Sequence, residues 1–382
     1  MPLALDMTPI QIAGVYTRFV SQVNEVLAPY FQEKDNPNPG PNVFYDIKTF
    51  WRDPAPVVSR YGDPVPAMHS RLSSVAFEAI SLAQTIEANA QFIKDSRAPG
   101  EISLPYDDVR LADDLLQIRI AFGNRREIFR AQALGTTGGY LTFRAPGSGV
   151  INVDLGYTAA SKLIHNGDWS DPTYTGILSD LALARKSTIL RSGRVPTELF
   201  FNSSVDAMLV ANTFLTKFYA PQTMERVLSQ GSWDGMQLGR FTVHVHDYAY
   251  ADGASPVAGE GTLYPYIPDN FVAMFPGDNA NRSYINCEPA SLHAPKGMHG
   301  FFGRVRQSEA LNGSIFTEGE ETSAPMVTWP LETTFDADVT ADLDSARERA
   351  LDDRPSGHIV TLQEREAGAE EQYIDKDKHK GK

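Results

Sequence analysis

Cysteine is nearly absent: Cys287 is the only one in 382 residues, so no disulfide closes within the chain. That fits a reducing compartment better than an oxidising extracellular one. Basic residues are scarce, 34 Lys and Arg against 48 Asp and Glu, for a formal charge of −14. A mean field of that sign repels phosphates and argues against broad electrostatic capture of nucleic acid. No apolar run reaches the roughly 18–20 residues of a membrane-spanning helix. The opening Met1-Pro2-Leu3-Ala4-Leu5-Asp6 lacks the basic flank and apolar stretch of a secretory signal. The expectation is a protein neither exported by that route nor embedded in a membrane. The sequons at Asn202, Asn281 and Asn312 are therefore read as chance. No repeat of about 20 to 50 residues is visible.

What is present is ordinary globular material, 42% hydrophobic and 10% aromatic, enough for two or three domains sharing a sizeable core. Thr8-Pro9 is a helix-start signal, and Ile12, Val15, Phe19, Val23, Val26 and Leu27 continue it at helical spacing. A helix is expected over 9–27, ended by Pro29, with the polar, proline-rich run 33–41 as an exposed linker. Short β-prone runs follow at 43–47, 56–59 and 75–80. Tyr61-Gly62-Asp63-Pro64-Val65-Pro66 sits between two of them, as the tip of a long two-stranded excursion would.

The strongest helix signal spans 105–135. Pro105 and Asp107-Asp108 open it, Val109, Leu111, Leu115, Ile118, Phe122, Ile128, Ala131 and Leu134 form its stripe, and Gly135 closes it. Strands are expected at 140–143 and 150–155. A second long helix is announced by Asp171-Pro172 and stopped by Gly193. Residues 196–247 read as a compact α/β unit: a strand at 198–201, Asn202-Ser203-Ser204 as cap, helices to about 212 and over 221–228, and a strand at 240–247. Further strands fit 262–267, 270–275, 300–306 and 326–331. From about 336 dense mixed charge predicts a flexible tail, or one ordered only by a partner.

Candidate chemistry is sparse. Gly135-Thr136-Thr137-Gly138-Gly139 follows a helix and precedes a strand, the reverse of a phosphate cradle, and reads as a turn. His244-Val245-His246-Asp247 places two imidazoles on one strand face, but no third ligand stands at metal-site spacing. No Gly-x-Ser-x-Gly elbow occurs and Cys287 has no nucleophile signature, so a buried inert thiol is expected. Asp107-Asp108 and Asp113-Asp114 point to different helix faces and read as capping and solvation. No catalytic residue, cofactor site or metal site is assigned. An arm, an excursion without a core of its own and a rod-like helix suit a chain whose neighbours supply the missing contacts.

Arg125-Arg126-Glu127 followed by Ala131-Gln132-Ala133-Leu134-Gly135 closely resembles the end of the spine helix in the phage major capsid protein E family, the lambda-type branch of tailed-phage coat proteins. The likeness extends to Ala55-Pro56-Val57-Val58-Ser59-Arg60, Trp169-Ser170-Asp171-Pro172, Pro196-Thr197-Glu198-Leu199-Phe200 and Ile267-Pro268-Asp269-Asn270, together spanning most of residues 40–335. The charged tail beyond about 350 departs from that pattern.

The resemblance implies an α+β Hong Kong 97-type coat fold: an N-terminal arm (1–42), an extended loop (43–104), the spine helix and peripheral domain (105–194), an axial domain (195–275), the peripheral return (276–345) and a flexible tail (346–382). It implies a non-enzymatic major capsid protein of a tailed double-stranded DNA phage. Copies would assemble in the host bacterial cytoplasm into hexamers and pentamers of an icosahedral virion shell, enclosing DNA without sequence-specific binding and without a membrane. A separately encoded scaffolding protein, a portal and a decoration protein are the partners it suggests. Val75 and Phe77 of the loop, and Arg125, Arg126 and Glu127 of the helix, are the candidate contacts between subunits; for the last three, ion pairs within one chain are the alternative. An encapsulin-like shell, another virion structural protein, and a metal enzyme built on His244 and His246 are the other readings.

Overall fold

The computed structural model describes residues 25–37, 40, 42–49, 71–88, 108–145, 149–162, 164–251, 263–289, 294, 297–308, 314–341 and 358–359. Residues 9–24 of the expected first helix, the run 56–59 and the excursion tip lie outside them. In chain order come β1 (Gln32–Asp35), β2 (Asn42–Thr49), β3 (Arg71–Glu78), β4 (Ile80–Ala88) and helix α1 (Asp108–Ala133). Strands β5 (Tyr140–Ala145) and β6 (Gly149–Asp154) precede α2 (Ile177–Ser192). Next are β7 (Glu198–Phe201), α3 (Ser203–Ala211), α4 (Thr213–Phe218), α5 (Pro221–Gln230), β8 (Gln237–Leu238) and β9 (Phe241–Val245). Then follow β10 (Ala249–Ala251), β11 (Leu263–Pro265), β12 (Val272–Phe275) and β13 (Arg282–Cys287). Last are β14 (Phe302–Ser308), β15 (Ser314–Val327), β16 (Thr334–Asp336) and β17 (His358–Ile359). Among the described residues no helix is long and apolar enough to cross a membrane.

The chain divides into two compact units, one gathering 1–43, 77–130 and 283–325, the other 44–76, 131–282 and 326–382. In the first, a sheet ordered β1-β13-β15-β14, with β4 also paired to β15, faces α1. Leu115, Ile118 and Phe122 of α1 are buried, and Phe122 meets Phe301 edge-on at 5.6 Å. Gly303 and Gly319 are directly opposed in the β14–β15 ladder. A Cβ at Gly303 would press to 3.1 Å from Leu115, and one at Gly319 would overlap Ile118. Glycine here lets the helix lie close on the sheet.

The second unit centres on a sheet ordered β16-β12-β7-β9-β8. β7 and β9 run parallel, and α3, α4 and α5 fill the crossover between them. Leu199, Phe201, Val243, Val272 and Met274 of this sheet share one core with Trp169, Leu181, Val205, Leu209, Val227 and Trp233. Asn side chains start two of the helices: Asn202 accepts from the Ser204 amide, and Asn212 from those of Phe214 and Leu215. Gly193 and Gly231 close α2 and α5 in the left-handed region. A β17–β6–β5 sheet and a β10–β11 pair complete this unit, and β2 and β3 form a sheet of their own.

Several expectations need correction. The expected linker at 33–41 begins inside β1, whose four polar side chains are all exposed while its backbone pairs in parallel with β13; ladder bonds need no apolar residue. Asp171 does not start a helix. Its carboxylate accepts from the Thr173 amide and hydroxyl, and α2 begins at Ile177 with Gly176 as cap. The strand expected at 326–331 ends at Val327 and reaches back to Ser314, through an acid-rich stretch for which no strand was expected. β13 and α4 were unexpected. The expected flexibility from 336 fails at its start, since Asp336, Val339 and Ala341 are buried, and β17 pairs in parallel with β6 at Ile151 and Asn152.

Candidate functional site

The densest arrangement of charge in the first unit surrounds the last turns of α1. Glu25 bridges two arginines: Arg126 Nη2 donates to its Oε1 at 2.5 Å and Arg130 Nη1 to its Oε2 at 2.6 Å. Glu127, buried one residue beyond Arg126, accepts the Leu27 amide at 2.7 Å, so the chain entering at residues 25–27 is held from both sides. Arg130 is fully buried, also reaches Glu33 at 3.3 Å and Glu127 at 3.5 Å, and lies 4.8 Å over the Tyr284 ring. Arg126 Nε stands 3.8 Å from Glu321 on β15. Burial raises the Glu321 pKa against the pull of Arg126, and burial together with Glu321 raises that of the Tyr284 hydroxyl. The cluster holds charge without exposing a reacting group; chemically it is a clamp.

The candidate contact residues therefore fall in different settings. Arg126 and Glu127 are engaged within the chain, while Arg125 between the same turns is exposed. Val75 and Phe77 lie on β3, in the two-stranded β2–β3 pair. Glu25, Arg130 and Glu321 were missed by sequence reasoning. Arg126 and Arg130, one turn apart, were the local signal, but apart from Glu127 their partners stand about a hundred or more positions away.

The second unit holds three further polar centres. His165 Nδ1 meets the Asp336 carboxylate, which also accepts the amides of Ile164 and His165, and Nε2 lies 3.2 Å from the Ala341 carbonyl. Burial works against the imidazolium, but these acceptors outweigh it, and the His165 pKa is raised. Asp180 accepts from Asn166, the Trp169 indole and the Tyr174 hydroxyl. Glu332 is buried against Arg282 at 3.2 Å, accepts from Asn281, and its pKa is raised by burial.

The two histidines singled out on β9 part company. His244 Nε2 lies 2.7 Å from Glu198 and its ring stacks on Phe200, whereas His246, just past the strand, is buried edge-on against Tyr248 and Tyr266. Among the described residues, no group of three or more His, Cys, Asp or Glu is placed to hold a metal ion. Cys287 is buried, the Asn36 amide points at its sulfur at 3.4 Å, and burial pushes the thiol pKa up, the opposite of an activated nucleophile.

The profile of the family described as phage major capsid protein E matches residues 16–339. No curated protein matches the chain. A candidate capsid protein from a prophage of E. coli CFT073 superposes with a TM-score of 0.50 at 11% identity, covering 70% of this chain and 79% of its own. The capsid of cyanophage P-SCSP1u gives 0.48 at 12%, covering 80% and 85%. The virus-like particle of Pyrococcus furiosus gives 0.44 at 12%, covering 85% and 97%. The likeness to the prophage protein is one of fold, the α+β Hong Kong 97-type coat fold. With its profile matched across most of its length, the chain belongs to the phage major capsid protein E family, whose members are shell-forming coat proteins and not enzymes.

Proposed function

We propose that copies of this chain close into hexamers and pentamers of an icosahedral shell around the double-stranded DNA of a tailed phage, in the cytoplasm of the bacterial host. The family match over residues 16–339 is the observation that carries this reading. Individually modest contacts suffice in such an assembly, because closure repeats them over every copy. A scaffolding protein, a portal and a decoration protein are the partners proposed with it.

Within the chain, the proposed roles follow the elements. α1 is the spine helix, the β2–β3 pair is the base of the extended loop, and strands β12, β7, β9 and β8 with helices α3–α5 build the axial domain. Val75 and Phe77 of the loop lie over a neighbour's spine helix, with exposed Arg125 as a polar contact. Arg126 and Glu127 act inside the chain, anchoring the root of the N-terminal arm through Glu25 and Leu27. The charge of −14 suits an enclosure that must not hold the genome's phosphates tightly.

Negative-stain electron microscopy beside a sedimentation run tests the proposal. Closed shells, or hexamers and pentamers, are expected from the purified protein. A uniform monomer or dimer, unresponsive to concentration and crowding, overturns it.

A further inference from the structure

Two helices of the second unit each turn one side into the common core and leave large apolar side chains, with a single charge among them, exposed outside it. On α2, Ile177, Leu181 and Ala184 are core, while Leu183 and Leu190 are 53% and 68% exposed with exposed Lys186 between them. On α5, Met224 and Val227 are core, while Leu228 is 56% exposed and shares its side with exposed Glu225 and Pro221. Phe218, the last residue of α4 and three before Pro221, is 61% exposed. Among the described residues, neither Lys186 nor Glu225 enters an ion pair.

The two groups match in spacing as well as in charge. Leu183, Lys186 and Leu190 are separated by three and then four positions. Leu228, Glu225 and Pro221, taken backwards along α5, are separated by the same three and four. Each therefore covers two turns, about 10 Å at 1.5 Å per residue. We propose that α2 of one copy packs antiparallel on α5 of a neighbouring copy, setting Leu183 beside Leu228, Lys186 against Glu225 and Leu190 beside Pro221, with Phe218 extending the apolar contact. The neighbouring Arg226 lies about 100° further round the helix, off the contact line. Because two different faces of the same chain meet, the contact is heterologous and propagates from copy to copy, which a closing rotation turns into the ring that a hexamer or pentamer requires. The inference rests on the shell-forming reading and adds to it which faces meet.

Charge reversal tests the pairing. Lys186→Glu and Glu225→Lys are solvent-facing changes, so far-ultraviolet circular dichroism and the unfolding midpoint of each variant stay at wild-type values. Each reversal alone is expected to raise the concentration at which assemblies form about tenfold or more by placing like charges together; the double reversal restores it to near the wild-type value. Oxidising a mixture of K186C copies and E225C copies is expected to give a disulfide between chains within the assemblies. If the wild type does not assemble at all, the shell-forming reading falls. If it assembles and the single reversals match it, or the double reversal stays as defective as the singles, or the mixed disulfide never forms, the docking of α2 on α5 falls and the shell reading stands.

Discussion

Arg130 has no exposed surface, yet it meets three carboxylates and an aromatic face. Desolvating a guanidinium is costly, and here the cost is offset only by keeping every partner in place. Arg130→Met is expected to destabilise the chain by about 3–5 kcal/mol in denaturant unfolding, chiefly because buried Glu127 loses a counter-charge. Arg130→Lys, which keeps the charge but loses the planar fork, falls between. The His165 pair carries a pH dependence. Its imidazolium is favoured in the folded chain, so its stabilisation is fully present below the free value of about 6.5 and is lost as pH rises through the raised folded value. Unfolding midpoints of the wild type are thus expected to fall over that window. In His165→Gln that component of the slope disappears; an unchanged slope refutes the assignment. Neither centre was legible in the sequence: Arg130 was not singled out on its helix, and nothing links His165 to a position 171 residues away. The buried, inert character of Cys287 was legible, because lack of a reactive context is itself a local property.

Elements were read best where they are punctuated locally. Gly135 marks the end of α1 in the sequence, and in the structure it has φ +103° and carries the Phe335 ring where a side chain would stand. Gly135→Ala is expected to cost about 1–3 kcal/mol from backbone strain alone, with the displaced ring adding to it. The cap at Asn202 was legible for the same reason. At Asn212, ten residues on, the sequence reading placed the end of α3 but not the start of α4, since nothing local shows that the same residue caps a second short helix. Asn212 accepts two amides and donates to the Tyr174 carbonyl. Asn212→Ala should lower stability by about 2 kcal/mol, measured by thermal unfolding. β1, β13 and the acidic half of β15 were hidden for a different reason: their partners, not their composition, make them strands. At the β2–β3 excursion, Val75→Asp with Phe77→Asp is expected to leave the fold intact and move the protein from shells to small species in sedimentation.

At the scale of the whole molecule, the acid excess and the lack of a reactive centre had already pointed away from nucleic-acid readers and enzymes, and the family resemblance supplied the rest. What no single-chain pattern conveys is how the chain is shared out. It passes from one compact unit to the other at residues 43–44, 76–77, 130–131, 282–283 and 325–326. β1 therefore waits for β13, and Asn36 for Cys287, 251 positions later. A ribosome adding about 5–20 residues per second needs roughly 12–50 seconds to deliver that partner. During that interval the first unit has no sheet for α1 to rest on, and its glycine-lined seat at residues 303 and 319 has yet to be made. The nascent chain thus cannot settle one unit and then the other, since each needs residues beyond 282. Surfaces built on either unit are therefore expected only on copies whose synthesis has passed residue 326.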